Sequence, residues 1–334
     1  MSSESAGLTW DLIAEARARI ADKVHRTPVM TSETLDSLAG AQLYFKCENL
    51  QKTGAFKARG ATNAVFALTA AEAAKGVATH SSGNHAAALA RAAKLRGIPA
   101  HIVIPHNAPK AKLASVSRYG GRIIHCEPTL QARESTVAQV VAATGATLVH
   151  PYNDLRVMAG QGTTAIELLE DIPDLDLILC PVGGGGQLGG IAVAAKTLKP
   201  AIRVIGVEPA GADDAFRSFR SGTIEPMPHP NTIADGLRST LGAKPFAAIR
   251  RHVDDIVTVS EESIVASMRR IWEVLKIIVE PSGAVPYAAI ASDKLAAQGK
   301  KVGVVLSGGN LDLDHYPWIN ASRATAPHAL ESSL

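Results

Sequence analysis

In the segment GAFKARGA, residues 54–61, a lysine stands where a turn gives way to a helix. A primary amine placed there can act as a nucleophile when neutral and as a proton acceptor once released, the two tasks of covalent amine catalysis. By position alone, Lys57 reads first as a solvated surface cation, mildly unfavourable at a helix start. Four other turns carry residues of equal interest. CPVGGGGQLGG (180–190) puts Gly183, Gly184, Gly185 and Gly186 between a buried strand and a helix, so the backbone can approach a ligand and N–H groups at the helix start can hold an anion such as phosphate. Gly184, Gly186 and Gly189 also satisfy GxGxxG, with Glu208 about twenty residues on, so an NAD-dependent oxidoreductase is a rival reading. In THSSGNHAAALA (79–90), Ser81 and Ser82 can cap the following helix, and the same turn offers hydroxyls, N–H groups and the Asn84 amide to a carboxylate and a ring oxygen. VVLSGGNLDLD (304–314) ends a strand on Ser307, by default a turn former, yet able to hydrogen-bond a ring nitrogen. GVEPAGADD (206–214) places Glu208, the Ala212 carbonyl and Asp214 within seven residues, hard oxygens suited to magnesium, manganese or calcium; solvated carboxylates are the default there.

These turns need a frame. Short β-like runs occur at 76–80, 101–105, 122–126, 147–151, 175–182, 203–209 and 301–307, and Gln42–Asn49 alternates like a strand. Helical patterns lie between them, among them GNHAAALARAAKLRG (83–97), QARESTVAQVVAATG (131–145) and ESIVASMRRIWEVLK (262–276). Strands separated by helices of this length predict right-handed βαβ units, mainly parallel sheets and an α/β fold class. In such sheets ligands bind beyond the carboxyl ends of strands, where all five turns fall.

The chain has 334 residues, suggesting about two domains, and its net charge of +3 is too mild to argue for nucleic acid. Three cysteines, Cys47, Cys126 and Cys180, show no CxxC spacing, which argues against a disulfide framework or a zinc site. The N-terminal stretch reads as an amphipathic helix, and no apolar run approaches the ~20 residues of a membrane span. The expectation is a cytoplasmic, soluble protein with a small-molecule substrate, without nucleic-acid or membrane partners.

GAFKARGA, SSGNH, GGGG after a strand and SGGN after the last strand together resemble the fold-type II pyridoxal phosphate enzymes, the tryptophan synthase β-like fold, over nearly the whole chain. RTPVMTS (26–32), FKCENLQKTGAFKARGA, HPYNDLRVMAGQGT (150–163), GVEPAGADD, DGLRSTLG (235–242) and VEPSGAV (279–285) are similar to the serine racemase and threonine/serine dehydratase branch, which includes 3-hydroxyaspartate dehydratases. The resemblance implies two lobes, each a mainly parallel sheet flanked by helices: a large cofactor-binding domain of 1–77 and 150–334, and a small mobile domain of 78–149. It implies that Lys57 forms a Schiff base with pyridoxal 5′-phosphate, that Phe56 packs near the cofactor ring, that Asn84 meets its 3′ oxygen, that Gly183 to Gly186 cradle the phosphate, and that Ser307 faces the pyridine nitrogen. Ser82 matches the serine that reprotonates the opposite face in serine racemase, making Lys57 and Ser82 the catalytic pair. Ser81, Ser82, Asn84 and His85 would hold the substrate, with Arg133, Ser239 and Arg238 as candidates for a second carboxylate; Arg133 reads equally well as a solvated helix residue. The family's divalent-cation site (Mg2+, Mn2+ or Ca2+) maps onto Glu208, Ala212 and Asp214, which removes Glu208 from the dinucleotide fingerprint. Tyr152 stands where the racemase has asparagine and dehydratases have tyrosine, which leans towards ammonia-lyase. The implied reaction removes water and then ammonia from a β-hydroxy amino acid such as L-threonine or L-serine to give a 2-oxo acid, with serine racemase as a side activity. The alternative is a 3-hydroxyaspartate dehydratase giving iminosuccinate and oxaloacetate. A homodimer is implied by resemblance only.

Overall fold

Local signals set the helix boundaries. Thr9, Ser32, Thr129 and Ser260 each accept a hydrogen bond from an N–H of the first turn that follows, and Gly40, Gly97, Gly145 and Gly222 end helices in the left-handed conformation. A computed structural model describes residues 7–81, 83–108, 110–314 and 318. Among them the strands are β1 (Val29–Met30), β2 (Gln42–Lys46), β3 (Val77–His80), β4 (Ala100–Pro105), β5 (Arg122–Cys126), β6 (Thr147–Leu148), β7 (Leu177–Pro181), β8 (Arg203–Pro209), β9 (Asp255–Val259) and β10 (Lys301–Val305). They form two sheets, ordered β1-β2-β10-β7-β8-β9 and β5-β4-β3-β6. Every pairing is parallel except β1 with β2.

The alternation of strands and helices is as expected, with three differences. β1 and β9 were not singled out, being respectively two residues long and a half-buried edge. Only Thr147 and Leu148 of the 147–151 run pair as a strand, because His150 and Pro151 enter a turn leading into the helix Leu155–Asp171. Helices cover both faces of both sheets, so each sheet sits between two apolar clusters: Ile178, Cys180 and Val204 belong to one cluster and Leu177, Leu179 and Ile205 to another, as the period of two along a strand requires. In the smaller sheet Ile102 and Ile104 join one cluster and Val103 the other.

Two close approaches fix the helix that begins at Lys57, Lys57–Phe66. Gly60 and Gly160 meet where it crosses Leu155–Asp171: a Cβ on Gly160 would lie 2.6 Å from the Gly60 Cα, and one on Gly60 would lie 2.6 Å from the Val157 carbonyl oxygen. Two residues further on, and so on the opposite side of the same helix, Gly162 and Gly190 bring the helix Gly186–Leu198 equally close, with a Cβ on Gly190 only 2.4 Å from the Met158 carbonyl oxygen. Three helices therefore touch backbone to backbone, and two of them begin in the glycine and lysine turns.

The second anchor is electrostatic. Arg59, fully buried, donates through Nε to Glu48 at 2.8 Å, and its two terminal nitrogens reach Glu167 at 2.6 and 2.7 Å. Lys46, also fully buried, donates to Glu167 at 2.7 Å and to the Thr27 carbonyl at 2.7 Å, while the Thr27 hydroxyl donates to Glu48 at 2.6 Å. Burial pushes the Glu167 carboxyl up, but the bonds from Arg59 and Lys46 win and hold it below the usual range. Two cations balance two carboxylates, so removing one member strands charge in a dry interior. Arg59→Met should cost about 3–5 kcal/mol, read as a lower urea midpoint at unchanged slope; a loss below ~1 kcal/mol, the scale of an exposed pair, would show that the cluster is not a structural anchor.

Candidate active site

The five chemically marked turns follow β2, β3, β7, β8 and β10, at the carboxyl ends of those strands. Four of them open into one cleft of about 1520 Å³ between the two sheets. Phe56, Lys57 and Ser307 line it from the large sheet with Gly183 to Gly186, and Ser81, Asn84, His85 and Arg133 line it from the smaller one. Arg238 and Ser239 close a third side. Ser82 lies outside the described residues.

Lys57 has its Nζ 2.8 Å from the Pro151 carbonyl oxygen, to which it donates, and 5.0 Å from the centroid of the Phe56 ring. Burial lowers its pKa to about 8, against an opposing pull from Glu280. The solvated-cation reading is therefore corrected: near neutral pH a useful fraction of the amine is unprotonated.

The glycine run is shaped by protein neighbours as well as by any ligand. A Cβ on Gly184 would fall 2.4 Å from the Tyr152 ring, one on Gly183 would meet the Leu237 Cα at 2.8 Å, and Gly185 has φ +84°. The run is thus wedged between Tyr152 and the 237–241 segment, with its N–H groups at the start of the helix Gly186–Leu198.

Across the cleft, the helix Asn84–Arg96 starts from Gly83, with no side-chain cap. Ser81 accepts the Gly83 N–H, at 3.4 Å, and none from the helix's first turn among the described residues, which corrects the expectation that it caps the helix. Among the described residues no side chain closes the first turn, whose N–H groups suit an anion. His85, 2% exposed, lies with Nε2 3.1 Å from the Val149 carbonyl oxygen, and burial, then Lys57, holds it well below its usual pKa. The Asn84 amide is fixed on both sides: its nitrogen donates to Glu280 at 3.0 and 3.3 Å, and its oxygen accepts from Asn310 at 2.9 Å. Glu280, 3% exposed, also accepts the Asn310 N–H at 3.1 Å. Sequence reasoning assigned no role to Glu280, although it stands in the quoted segment VEPSGAV; only the fold shows that its carboxylate lies between Asn84 and Asn310.

The acidic turn lies apart from the cleft. Glu208 and Asp214 are both fully buried, which corrects the default of solvated carboxylates. Glu208 accepts from the N–H groups of Ala215 at 3.2 Å and Phe216 at 2.9 Å, and so is not a ribose ligand. Burial, then Asp214, pushes its carboxyl well above the usual range; burial likewise raises Asp214 to about 6. One oxygen of Asp214 accepts the Leu241 N–H at 2.7 Å, and the other is buried without a partner among the described residues. Among the described residues no three His, Cys, Asp or Glu side chains converge, so any cation here would need backbone carbonyls and water as well.

The chain belongs to the pyridoxal-phosphate dependent enzyme family, whose profile matches residues 20–308. It is 54% identical over 306 residues to a serine racemase of Arabidopsis thaliana, covering 90% of this chain and 92% of that one. It is 53% identical over 310 residues to the beta-hydroxyaspartate dehydratase of Paracoccus denitrificans, covering 93% of this chain and 98% of that one. The structure of maize serine racemase superposes with a TM-score of 0.91 at 49% identity, covering 96% of this chain and 98% of that one. The family and the burial of Glu208 together correct the dinucleotide reading. No described helix is long and apolar enough to cross a membrane.

Proposed function

We propose that the protein is a pyridoxal phosphate-dependent ammonia-lyase that removes water and then ammonia from a β-hydroxy amino acid, L-threonine or L-serine in the first instance, with serine racemase as a side activity. The observation that carries the reading is the Lys57 amine, its pKa lowered to about 8, facing in one cleft a glycine turn and an open helix start. The residues present fit the cofactor: Gly183 to Gly186 at a helix start suit its phosphate, Asn84 its 3′ oxygen, Phe56 and Lys57 its ring and aldehyde, and Ser307, 2% exposed, its pyridine nitrogen. Bound there, pyridoxal phosphate would supply an electron sink for negative charge at the substrate Cα.

The chain's own residues would do the rest. The N–H groups and hydroxyls of the Ser81 to His85 turn hold the substrate carboxylate, with Ser82 as the second catalytic residue and Ser239 at the cleft wall. Lys57 accepts the α proton, a positioned transfer of a kind typically worth ~10²- to 10⁴-fold. Asn84 is held for its task by Glu280 and Asn310. Ser307 offers a neutral hydroxyl where a carboxylate would keep a ring nitrogen protonated, which favours loss of a β leaving group over outcomes that need a longer-lived carbanion. Loss of water leaves an enamine whose hydrolysis gives ammonia and the 2-oxo acid. The lobe of 78–149, which carries the Ser81 turn and Arg133, is the part proposed to close over the substrate. The large lobe comprises 1–77 and 150–334, and two copies are proposed to form a homodimer in the cytoplasm.

A second reading, 3-hydroxyaspartate dehydratase, is favoured by one observation: Arg133 lines the cleft, its Nε 3.4 Å from the Thr129 carbonyl, with Arg238 lining the same space. Release of ammonia and 2-oxo acid on L-threonine, L-serine and both L-3-hydroxyaspartate diastereomers separates the two. If threonine or serine turns over fastest, Arg133→Ala should change kcat/KM less than about threefold. If hydroxyaspartate does, the same variant should lose about 10²-fold on it, the scale of a charge-assisted hydrogen bond, and little on serine. Turnover of none of the four would refute the proposal.

Glu208, Ala212 and Asp214 are proposed to bind Mg2+, Mn2+ or Ca2+, supported by the buried oxygen of Asp214 that lacks a partner among the described residues. A cation bound only by the folded protein raises its melting temperature with concentration. Added Mg2+ should do so for the parent and not for Glu208→Gln; equal shifts in both would place the ion elsewhere.

A further inference from the structure

His150 belongs to none of the roles above, yet it stands where the chain passes from the smaller sheet to the larger. Val149 is the last residue tied to the smaller sheet, its N–H donating to the Ala78 carbonyl at 2.9 Å, and Asp154 caps the helix Leu155–Asp171 through the Arg156 N–H at 2.8 Å. Between them, the His150 Nδ1 accepts two backbone hydrogen bonds, from the Asn153 N–H at 3.0 Å and the Tyr152 N–H at 3.4 Å. Both donors are amides, so Nδ1 must carry the lone pair and the ring proton must sit on Nε2. Burial, then His80 and Lys57, lowers the pKa of His150 to about 4, which keeps that lone pair available at neutral pH. The ring stands edge-on to His80 at 5.5 Å and to Tyr152 at 4.6 Å.

The turn so held makes three contacts with the site. Pro151 gives its carbonyl oxygen to the Lys57 Nζ. Tyr152 occupies the space above Gly184 and Gly186 that any Cβ there would fill. Asn153 accepts the Lys244 N–H at 2.9 Å, at the start of the helix Ala243–His252 that follows the 237–241 segment. One short turn thus touches the amine and the glycine cradle, and His150 is the side chain within it that accepts the turn's own N–H groups.

We propose that His150 is a positioning residue, whose Nδ1 lone pair locks the 150–153 turn and thereby seats Lys57 and the glycine cradle in register with each other. The proposal rests on the assignment of Lys57 and the glycines to the cofactor. Its signature is a requirement for an acceptor one bond beyond Cγ, not for a ring, a charge or a proton donor. Asparagine places Oδ1 where Nδ1 stands and can accept the same two N–H groups as an Asx turn; glutamine places its acceptor one bond too far. Both substitutions remove the ring contacts with His80 and Tyr152, so packing alone predicts that they behave alike.

The test compares His150→Asn and His150→Gln with the parent in the cofactor-loaded full chain, by amide hydrogen exchange over 151–154 and by kcat and KM. The expected result is parent-like exchange and a kcat within about threefold for the asparagine variant. The glutamine variant should exchange about tenfold faster in that segment, the scale of one lost backbone hydrogen bond or slightly more, and lose about 10²-fold in kcat, as expected for misplaced catalytic groups. Parent-like exchange and kcat in the glutamine variant overturn the proposal. Equal impairment of both variants also overturns it, in favour of ring packing. A parent that takes up no pyridoxal phosphate refutes the proposed function instead, and exchange in the cofactor-free proteins still decides whether His150 holds the turn.

Discussion

The position of Lys57 depends on Arg59, two residues along the same helix. Successive helical residues are about 100° apart, so Lys57 and Arg59 project about 200° from each other and one helix faces two environments. One side carries an amine to the cleft; the other drives a guanidinium between Glu48, beside β2, and Glu167, on the helix Leu155–Asp171. Because a buried cation without its carboxylates is costly, the helix has little freedom to roll or slide. The glycine crossing at Gly60 and Gly160 removes what freedom remains, since side chains of any size would push the two backbones apart. The Lys57 amine is thus positioned by what lies behind it.

The same logic runs through the cleft. Two further turns start helices whose bodies are pinned elsewhere: Gly186–Leu198 by its backbone contact at Gly162 and Gly190, and Asn84–Arg96 by an almost wholly buried run of alanines. Helix starts supply N–H groups that favour anions without committing a cationic side chain. The amine can therefore stay poorly solvated, with its pKa lowered, while the proposed phosphate and carboxylate sites rest on backbone N–H groups. Glu280 tempers this by pulling the Lys57 pKa back up.

Much of this was legible in the sequence because it is local. Strand and helix periods, the glycine run after β7, the lysine at a helix start and the serine after β10 are patterns of a dozen residues or fewer, and the structure brings Lys57, Asn84, Gly183 to Gly186 and Ser307 into one cleft as those patterns suggested. What stayed hidden is non-local. Glu280 and Asn84 are 196 positions apart, and nothing near either residue announces the partner. Arg59 within GAFKARGA gives no sign that it is buried, since its carboxylates lie 11 and 108 positions away. Glu208 and Asp214 read by default as solvated acids, and only the resemblance put a cation site there, because burial of charge is a property of the packed molecule. His150 was quoted within a motif yet given no role, because the hydrogen bonds it accepts depend on a turn geometry that residue types alone do not fix. β9 was missed for a related reason: as an edge strand it has only a half-buried pattern.

Lys57 is the residue proposed to hold the cofactor. Borohydride reduction of the pyridoxal phosphate-loaded protein, followed by peptide mapping by mass spectrometry, reads this directly. One phosphopyridoxyl group per chain is expected on the peptide containing Lys57, and less of it when L-serine is present in excess during reduction. Labelling spread over surface lysines, or concentrated on any lysine other than Lys57, would contradict it.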